Sequence, residues 1–408
     1  MSRGQVRAIS SEPALPVASP ESVGLCPQRI GQLMTVLQSE VERQRLPGAV
    51  ALIARHGKLA LFESIGALDP ALGTPMVQDA IFRIYSMTKP IVSVAVMMLM
   101  EQGKLLLNDP VAKYLPEYAA QKVATLVDGA VELRDLQQPA TLQDLLRHTA
   151  GFTYEFMGSS AVQRQYAQSR IGSRSRSNAE FSHALAGLPL MFEPGSTWEY
   201  GRATDVLGRI VEVVSGQALG AFLQAQIFKP LGMTDTGFSV PPQHHGRIAE
   251  PFARDPEGGL QMRVIDVRED AAMESGGGGL ASTASDYARF LQCLLNRGEF
   301  GGVRLLGPRT VDFMTADHLG SIPVNAGASR ALLPPGHGFG LGFAVRKDLG
   351  VATVPGSVGS YFWGGMAGTT FFVDPAEDLF ACLMLQAPNQ REYYRMLFRN
   401  MVYATLVD

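Results

Sequence analysis

Cysteine is scarce in this 408-residue chain, and its three copies, Cys26, Cys293 and Cys382, are far apart and odd in number. They read as reduced, packed thiols rather than a disulfide or zinc framework. No CxxC or HExxH pattern occurs, so there is no metal site to argue for, and no cofactor is expected. Runs of Lys or Arg are also missing, and a formal net charge of -3 gives no footing for nucleic acid. The longest apolar stretch, Ile91 to Met100, is interrupted by Ser93 and is too short to span a bilayer. The Ser/Pro-rich N-terminus carries no apolar core of the secretory kind, so a soluble cytoplasmic protein is the expectation. A G-x-S-x-G nucleophile elbow is absent as well. Its nearest relative, Gly327-Ala328-Ser329-Arg330-Ala331, lies in a polar loop with no strand before it and reads as a decoy.

What remains is 46% apolar and 18% charged, an ordinary well-buried composition long enough for two cores or one large composite domain. Residues 1–25 read as a loosely tied arm. Ile30, Leu33, Met34, Leu37 and Val41 recur at helical spacing after Pro27, and two β-rich runs, Ala49 to Arg55 and Lys58 to Glu63, flank His56-Gly57 as a hairpin. The middle is helix after helix: about 87–102, 141–148, 178–186, 203–215, 218–228 and 283–297, the last capped by Thr283 with Asp286 completing a capping box. Ser169 to Ser177 reads as a mobile surface segment and Ser275 to Gly279 as a flexible loop. Strands return at Leu341 to Arg346, Val351 to Pro355, Gly368 to Val373 and Leu379 to Leu385, followed by a helix from Asn389 to Leu406. The economical arrangement is an α+β fold. One antiparallel sheet from 26–85 plus 335–408 is flanked by an N-terminal and a C-terminal helix, a mainly helical domain of 86–334 is inserted, and the active site lies at the seam.

At that seam stands Ser86-Met87-Thr88-Lys89-Pro90, leading into a helix that is apolar nearly all round and must therefore be buried. Ser86 and Lys89 share a helix face, and the helix N-terminus supplies free N–H groups for an oxyanion. Ser86 could equally be a plain cap and Lys89 a snorkelling side chain. What favours chemistry is an ammonium set against a buried apolar helix, where an idle charge is costly. His148, at a helix end before a glycine turn, reads as structural rather than as a triad base. Tyr200, in a loop just before a helix, is either packing or a proton shuttle. The paired glycines of Trp363-Gly364-Gly365-Met366 permit close backbone approach of a ligand or form a plain bulge.

In order and spacing, these segments resemble the serine β-lactamase and penicillin-binding superfamily, in its class C-like branch, and most closely the family VIII carboxylesterases. The anchors are Ser86-Met87-Thr88-Lys89, Leu145 to Gly151, Pro194-Gly195 before Tyr200, Asp205 to Gly208, Ser275 to Leu280 and Trp363-Gly364-Gly365. The third position of the expected Tyr-x-Asn box is Arg202, and Trp363 stands where Lys-Thr-Gly would have its lysine; none of the seven lysines is followed by Ser/Thr-Gly. The resemblance implies a β-lactamase-like fold and a serine carboxylesterase acting on small esters through an acyl-enzyme on Ser86. Acyl transfer and weak β-lactam hydrolysis are the alternatives. It implies Ser86 as nucleophile, Lys89 as its base, Tyr200 as proton shuttle and the amides of Ser86 and Met366 as oxyanion hole. Trp363, Gly364, Gly365 and Tyr154 would border the substrate, and Asp205 would orient the hydrogen bonds of the site. A small-molecule ester is the expected partner, without nucleic acid or membrane, and self-association is left open.

Overall fold

The computed structural model describes residues 14–127 and 130–407; most of the expected N-terminal arm, residues 1–13, lies outside them. Its frame is an eight-stranded sheet, antiparallel throughout. The strands are β1 (Gly48–Arg55), β2 (Lys58–Asp69), β3 (Thr74–Pro75), β4 (His337–Phe339), β5 (Ala344–Arg346), β6 (Tyr361–Gly364), β7 (Gly368–Asp374) and β8 (Leu379–Gln386), in the spatial order β4-β5-β6-β7-β8-β1-β2-β3. The first and last segments of the chain therefore meet at the centre, where β1 pairs with β8 from Ala49 opposite Leu385 to Arg55 opposite Leu379.

These central strands are apolar without alternation because both faces are covered. Ala49, Ala51, Ile53, Ala381 and Leu383 pack under helices α1 (Pro27–Glu42) and α6 (Arg391–Tyr403), which contribute Leu33, Leu37, Tyr394, Phe398 and Val402. Val50, Leu52, Ala54, Cys382 and Met384 point the other way, into a larger cluster shared with the helical part. Tyr394, Phe398 and Val402 recur every four residues, so burying them turns a neighbouring stripe of α6 along the sheet edge.

The helical part holds α2 (Thr88–Glu101), α3 (Leu142–Leu146), α4 (Ala203–Ser215) and α5 (Ala284–Leu295), near the expected positions. Every residue of α2 from Thr88 to Leu99 is buried, as its all-round apolarity requires. Thr283 caps α5 by accepting from the Asp286 amide, but the Asp286 carboxylate bonds the Thr236 hydroxyl and the Asp235 amide instead of closing a box.

Several expectations change. Residues 14–25 are docked rather than loose: Leu15 and Val23 are buried, Val17 bridges to Leu59 and Leu25 to Leu406. No strand forms at 351–355, because Arg346 gathers the carbonyls of Asp348, Leu349 and Val354 and leaves that backbone bonded to a side chain. Among the strands that sequence periodicity missed are β3, β4, β6 and the hairpin Lys122–Val127 with Ala130–Asp135. Ser169 to Ser177, expected to be mobile, folds into turns with Ile171 buried, Arg176 donating to the carbonyls of Ser169 and Arg170, and Arg174 to that of Asp266.

Candidate active site

Two short segments bring the chain to the seam. Phe82–Arg83 pairs with Ala281–Ser282, and the chain then turns through Tyr85–Met87 into α2. Tyr85 takes a positive φ of 42°, costly for a bulky residue, and its hydroxyl is fixed by the Ile265 amide at 2.8 Å. This turn presents Ser86 to a cavity of about 730 Å³ and points Lys89 inward.

Lys89 is 1% exposed, with Nζ 3.2 Å from Ser86 Oγ, 3.0 Å from Tyr154 Oη and 2.6 Å from the Gly277 carbonyl, to which it donates. Burial brings its pKa down to about 7, against the pull of the Asp205 carboxylate and with a further push from Arg202. Near neutrality a large share of Lys89 is therefore the free amine that a serine nucleophile needs as its base. Ser275 to Gly279 is a built part of this arrangement rather than a flexible loop. Asp205 accepts from the Ser275 hydroxyl at 2.5 Å and the Gly277 amide at 2.9 Å, which aims the Gly277 carbonyl at Lys89.

Tyr200 is buried beside this pair, its ring centroid 4.5 Å from Lys89 Nζ. Trp363 Nε1 donates to its hydroxyl at 3.2 Å. Burial pushes the phenol well above its ordinary range, and hydrogen bonding with Ser86 and Trp363 offsets only part of this. The resting group is thus a neutral phenol. His148 packs its ring 4.8 Å from that of Tyr200 and also against Trp198 and Phe339. Burial holds its pKa well below the usual value, and both ring nitrogens lack partners among the described residues, as befits a neutral structural histidine.

The turn between β6 and β7 is set by close packing. A Cβ on Gly365 would stand 2.4 Å from the Ile84 carbonyl and from Thr369 Oγ1, and one on Gly364 would stand 2.7 Å from the Arg395 guanidinium. Only glycine lets this turn lie against the backbone two residues before Ser86. The Met366 amide that follows has no acceptor among the described residues and is free to donate.

Of the residues expected to border the substrate, Trp363 and Gly364 line the cavity, as do Ser86, Tyr200 and Met366. Tyr154 does not: it sits behind Lys89, under the Arg202 guanidinium, and Phe156 and Met157 take the wall. Gly365 and Asp205 lie behind it as well. The loop that follows Tyr154 contributes Phe156 and Met157 to the wall, and 262–265 and 328–334 close the cavity. Ser329, the decoy, is buried and works at one remove: it accepts from the Tyr200 amide at 3.2 Å and donates to Glu199 at 2.7 Å. Glu199, also buried, accepts in addition from Thr153 at 2.6 Å and Asn325 at 2.8 Å, tying three loops to the residue beside Tyr200. Sequence inspection missed Glu199 and the arginines of α6, although Arg391, Arg395 and Arg399 at four-residue spacing were a visible stripe.

Comparison with known proteins points to one family. The family described as Beta-lactamase matches residues 30–405. Esterase EstB of Burkholderia gladioli is 35% identical over 86% of this chain and 89% of its own length. Among solved structures, EstCE1, described as a hydrolase with promiscuous acyltransferase activity, superposes with a TM-score of 0.78 at 29% identity, covering 92% of this chain and 99% of its own. Simvastatin Synthase (LovD) from Aspergillus terreus superposes with a TM-score of 0.77 at 26% identity, covering 92% and 98%.

Proposed function

The chain belongs to the beta-lactamase family, and on that premise we propose that it is a serine esterase that hydrolyses small carboxylic esters through an acyl-enzyme on Ser86. One observation carries the reading. A serine 3.2 Å from a buried lysine with a pKa of about 7 faces a cavity in which Trp363 stands where Lys-Thr-Gly would place a cation.

Ser86 Oγ attacks the ester carbonyl carbon while its proton passes to the free amine of Lys89. The developing oxyanion takes the amides of Ser86 and Met366, each worth about 3 kcal/mol of transition-state stabilisation. As the C–O bond breaks, the departing alkoxide takes the Tyr200 proton, and the phenol is restored from the Lys89 ammonium. Water then attacks the acyl-enzyme with the same groups in reversed roles. Tyr154, Gly277 and Asp205 hold Lys89 in place. EstB and EstCE1 support hydrolysis by their descriptions. The description of EstCE1 and the synthase name of LovD favour acyl transfer to an alcohol as the second reading. A cytoplasmic location and self-association belong to the same proposal, to be tested by cell fractionation and sedimentation.

The test pairs wild type with Ser86→Ala on p-nitrophenyl acetate, butyrate and octanoate, with nitrocefin alongside. The expected result is ester turnover abolished in the variant and little nitrocefin opening by either protein. Undiminished ester turnover in Ser86→Ala would overturn the assignment. A rate that rises when an alcohol is added, with ester exchange in the products, would move the reading to acyl transfer.

A further inference from the structure

The cavity that opens on Ser86 is lined by four arginines, Arg263, Arg391, Arg395 and Arg399, and one carboxylate, Glu392. Three of the four come from α6 at a spacing of four and lie along one stripe of the helix. Arg391 and Arg395 share Glu392, at 3.5 and 2.7 Å. Arg395 also donates to the Gly365 carbonyl, while its Nε is buried without a partner among the described residues.

Arg399 has less still. Its guanidinium carbon stands 3.9 Å over the Phe362 ring and 5.2 Å over the Phe372 ring, both part of the cavity wall. Among the described residues, no carboxylate lies within the 4.0 Å of an ion pair. The acid that acts on it from further off, Asp374, is occupied by the Tyr403 hydroxyl at 2.7 Å and the Ser357 amide at 3.0 Å. Burial and the nearby Arg346 bring Arg399 down to about 10, which leaves it cationic at neutral pH. A half-buried guanidinium stacked on aromatics, its N–H groups without an acceptor among the described residues, is costly to keep and well shaped to receive a planar anion.

We propose that the α6 stripe is an anion subsite centred on Arg399, and that the preferred substrate is an ester carrying a second, ionised carboxylate. This rests on the esterase reading of the same cavity. Trp363 brings no cation where Lys-Thr-Gly would have its lysine, but the last helix supplies cations to another wall.

The experiment compares two matched ester pairs in wild type and Arg399→Met. Mono-p-nitrophenyl glutarate against p-nitrophenyl butyrate places the carboxylate on the acyl side. Acetoxybenzoate against phenyl acetate places it on the alcohol side. In wild type one anionic ester is expected to exceed its neutral partner in kcat/KM by about tenfold, the worth of one charge-assisted hydrogen bond, mostly through KM. That preference should fall with added salt and vanish in Arg399→Met, while neutral esters keep their rates within about twofold. The proposal is overturned if wild type prefers the neutral member of both pairs, or if the ratio survives in Arg399→Met. Should wild type turn over none of the four, it is the esterase reading that fails. The subsite is then judged by calorimetry of glutarate binding: heat lost in Arg399→Met supports it, and no heat in wild type overturns it.

Discussion

Lys89 carries the largest consequence of burial for one functional group, and its effect on rate and on stability can be separated. A base with a pKa of about 7 in the folded protein gives a kcat/KM that climbs as pH rises through about 7 and then levels off. For stability, the folded pKa lies below the ordinary 10.5, so the unfolded chain binds more protons between these values and stability rises with pH across that window. Lys89→Met should therefore raise the melting temperature more at pH 6 than at pH 10; an equal gain at both would show that Lys89 is not depressed. Tyr154→Phe removes one oxygen next to Nζ without leaving a large void. It should lower kcat about tenfold, one hydrogen bond's worth, with KM and melting temperature little changed, as paired kinetics and calorimetry would show.

Between elements, two contacts set the site. The β6–β7 turn is pressed on Ile84 through Gly365 and held from the far side by Arg395 of α6. Gly365→Ala must push that turn away and carry the Met366 amide with it. The expected loss is about a hundredfold in kcat with a near-normal circular dichroism spectrum; unchanged turnover would remove Met366 from the oxyanion hole. Glu199 is the second contact. Glu199→Ala strands the buried hydroxyls of Thr153 and Ser329 and the amide of Asn325, at a cost of about 3 kcal/mol in thermal unfolding. Elements of this kind were legible where a local rule fixes them: all-round apolarity for α2, a Pro start and four-residue spacing for α1, a glycine turn for the β1–β2 hairpin. Val351 to Pro355 was misread because Arg346 captures the carbonyls of Asp348 and Leu349 just before it and of Val354 within it, and a side chain that competes for backbone partners leaves no periodic trace.

Across the whole molecule, one apolar cluster runs from Val50 and Leu52 of the sheet through Ile91 of α2 to Leu145 and Ile210 of the helical part. It crosses both of the boundaries expected near residues 85 and 335. We therefore expect calorimetry to give a single unfolding transition, where two resolved transitions would mean independent domains. Among the described residues no single helix is long and apolar enough to cross a membrane; α4 and the Leu219–Leu231 segment pass such a test only together, across a 76° bend.

The sequence by itself determined the fold class and singled out Ser86 as the candidate nucleophile. Apolar periodicity and the Ser86–Lys89 spacing act within one or two helical turns, and the order of motifs along the chain carried the family. Only the tertiary structure decided what surrounds those atoms. It put Tyr154 behind Lys89, brought Glu199 and the decoy Ser329 to the shoulder of Tyr200, and turned three arginines of the last helix onto the wall of a cavity that begins more than 300 residues earlier at Ser86. Such contacts depend on which faces of distant elements are buried against each other, and no local pattern in the chain records that.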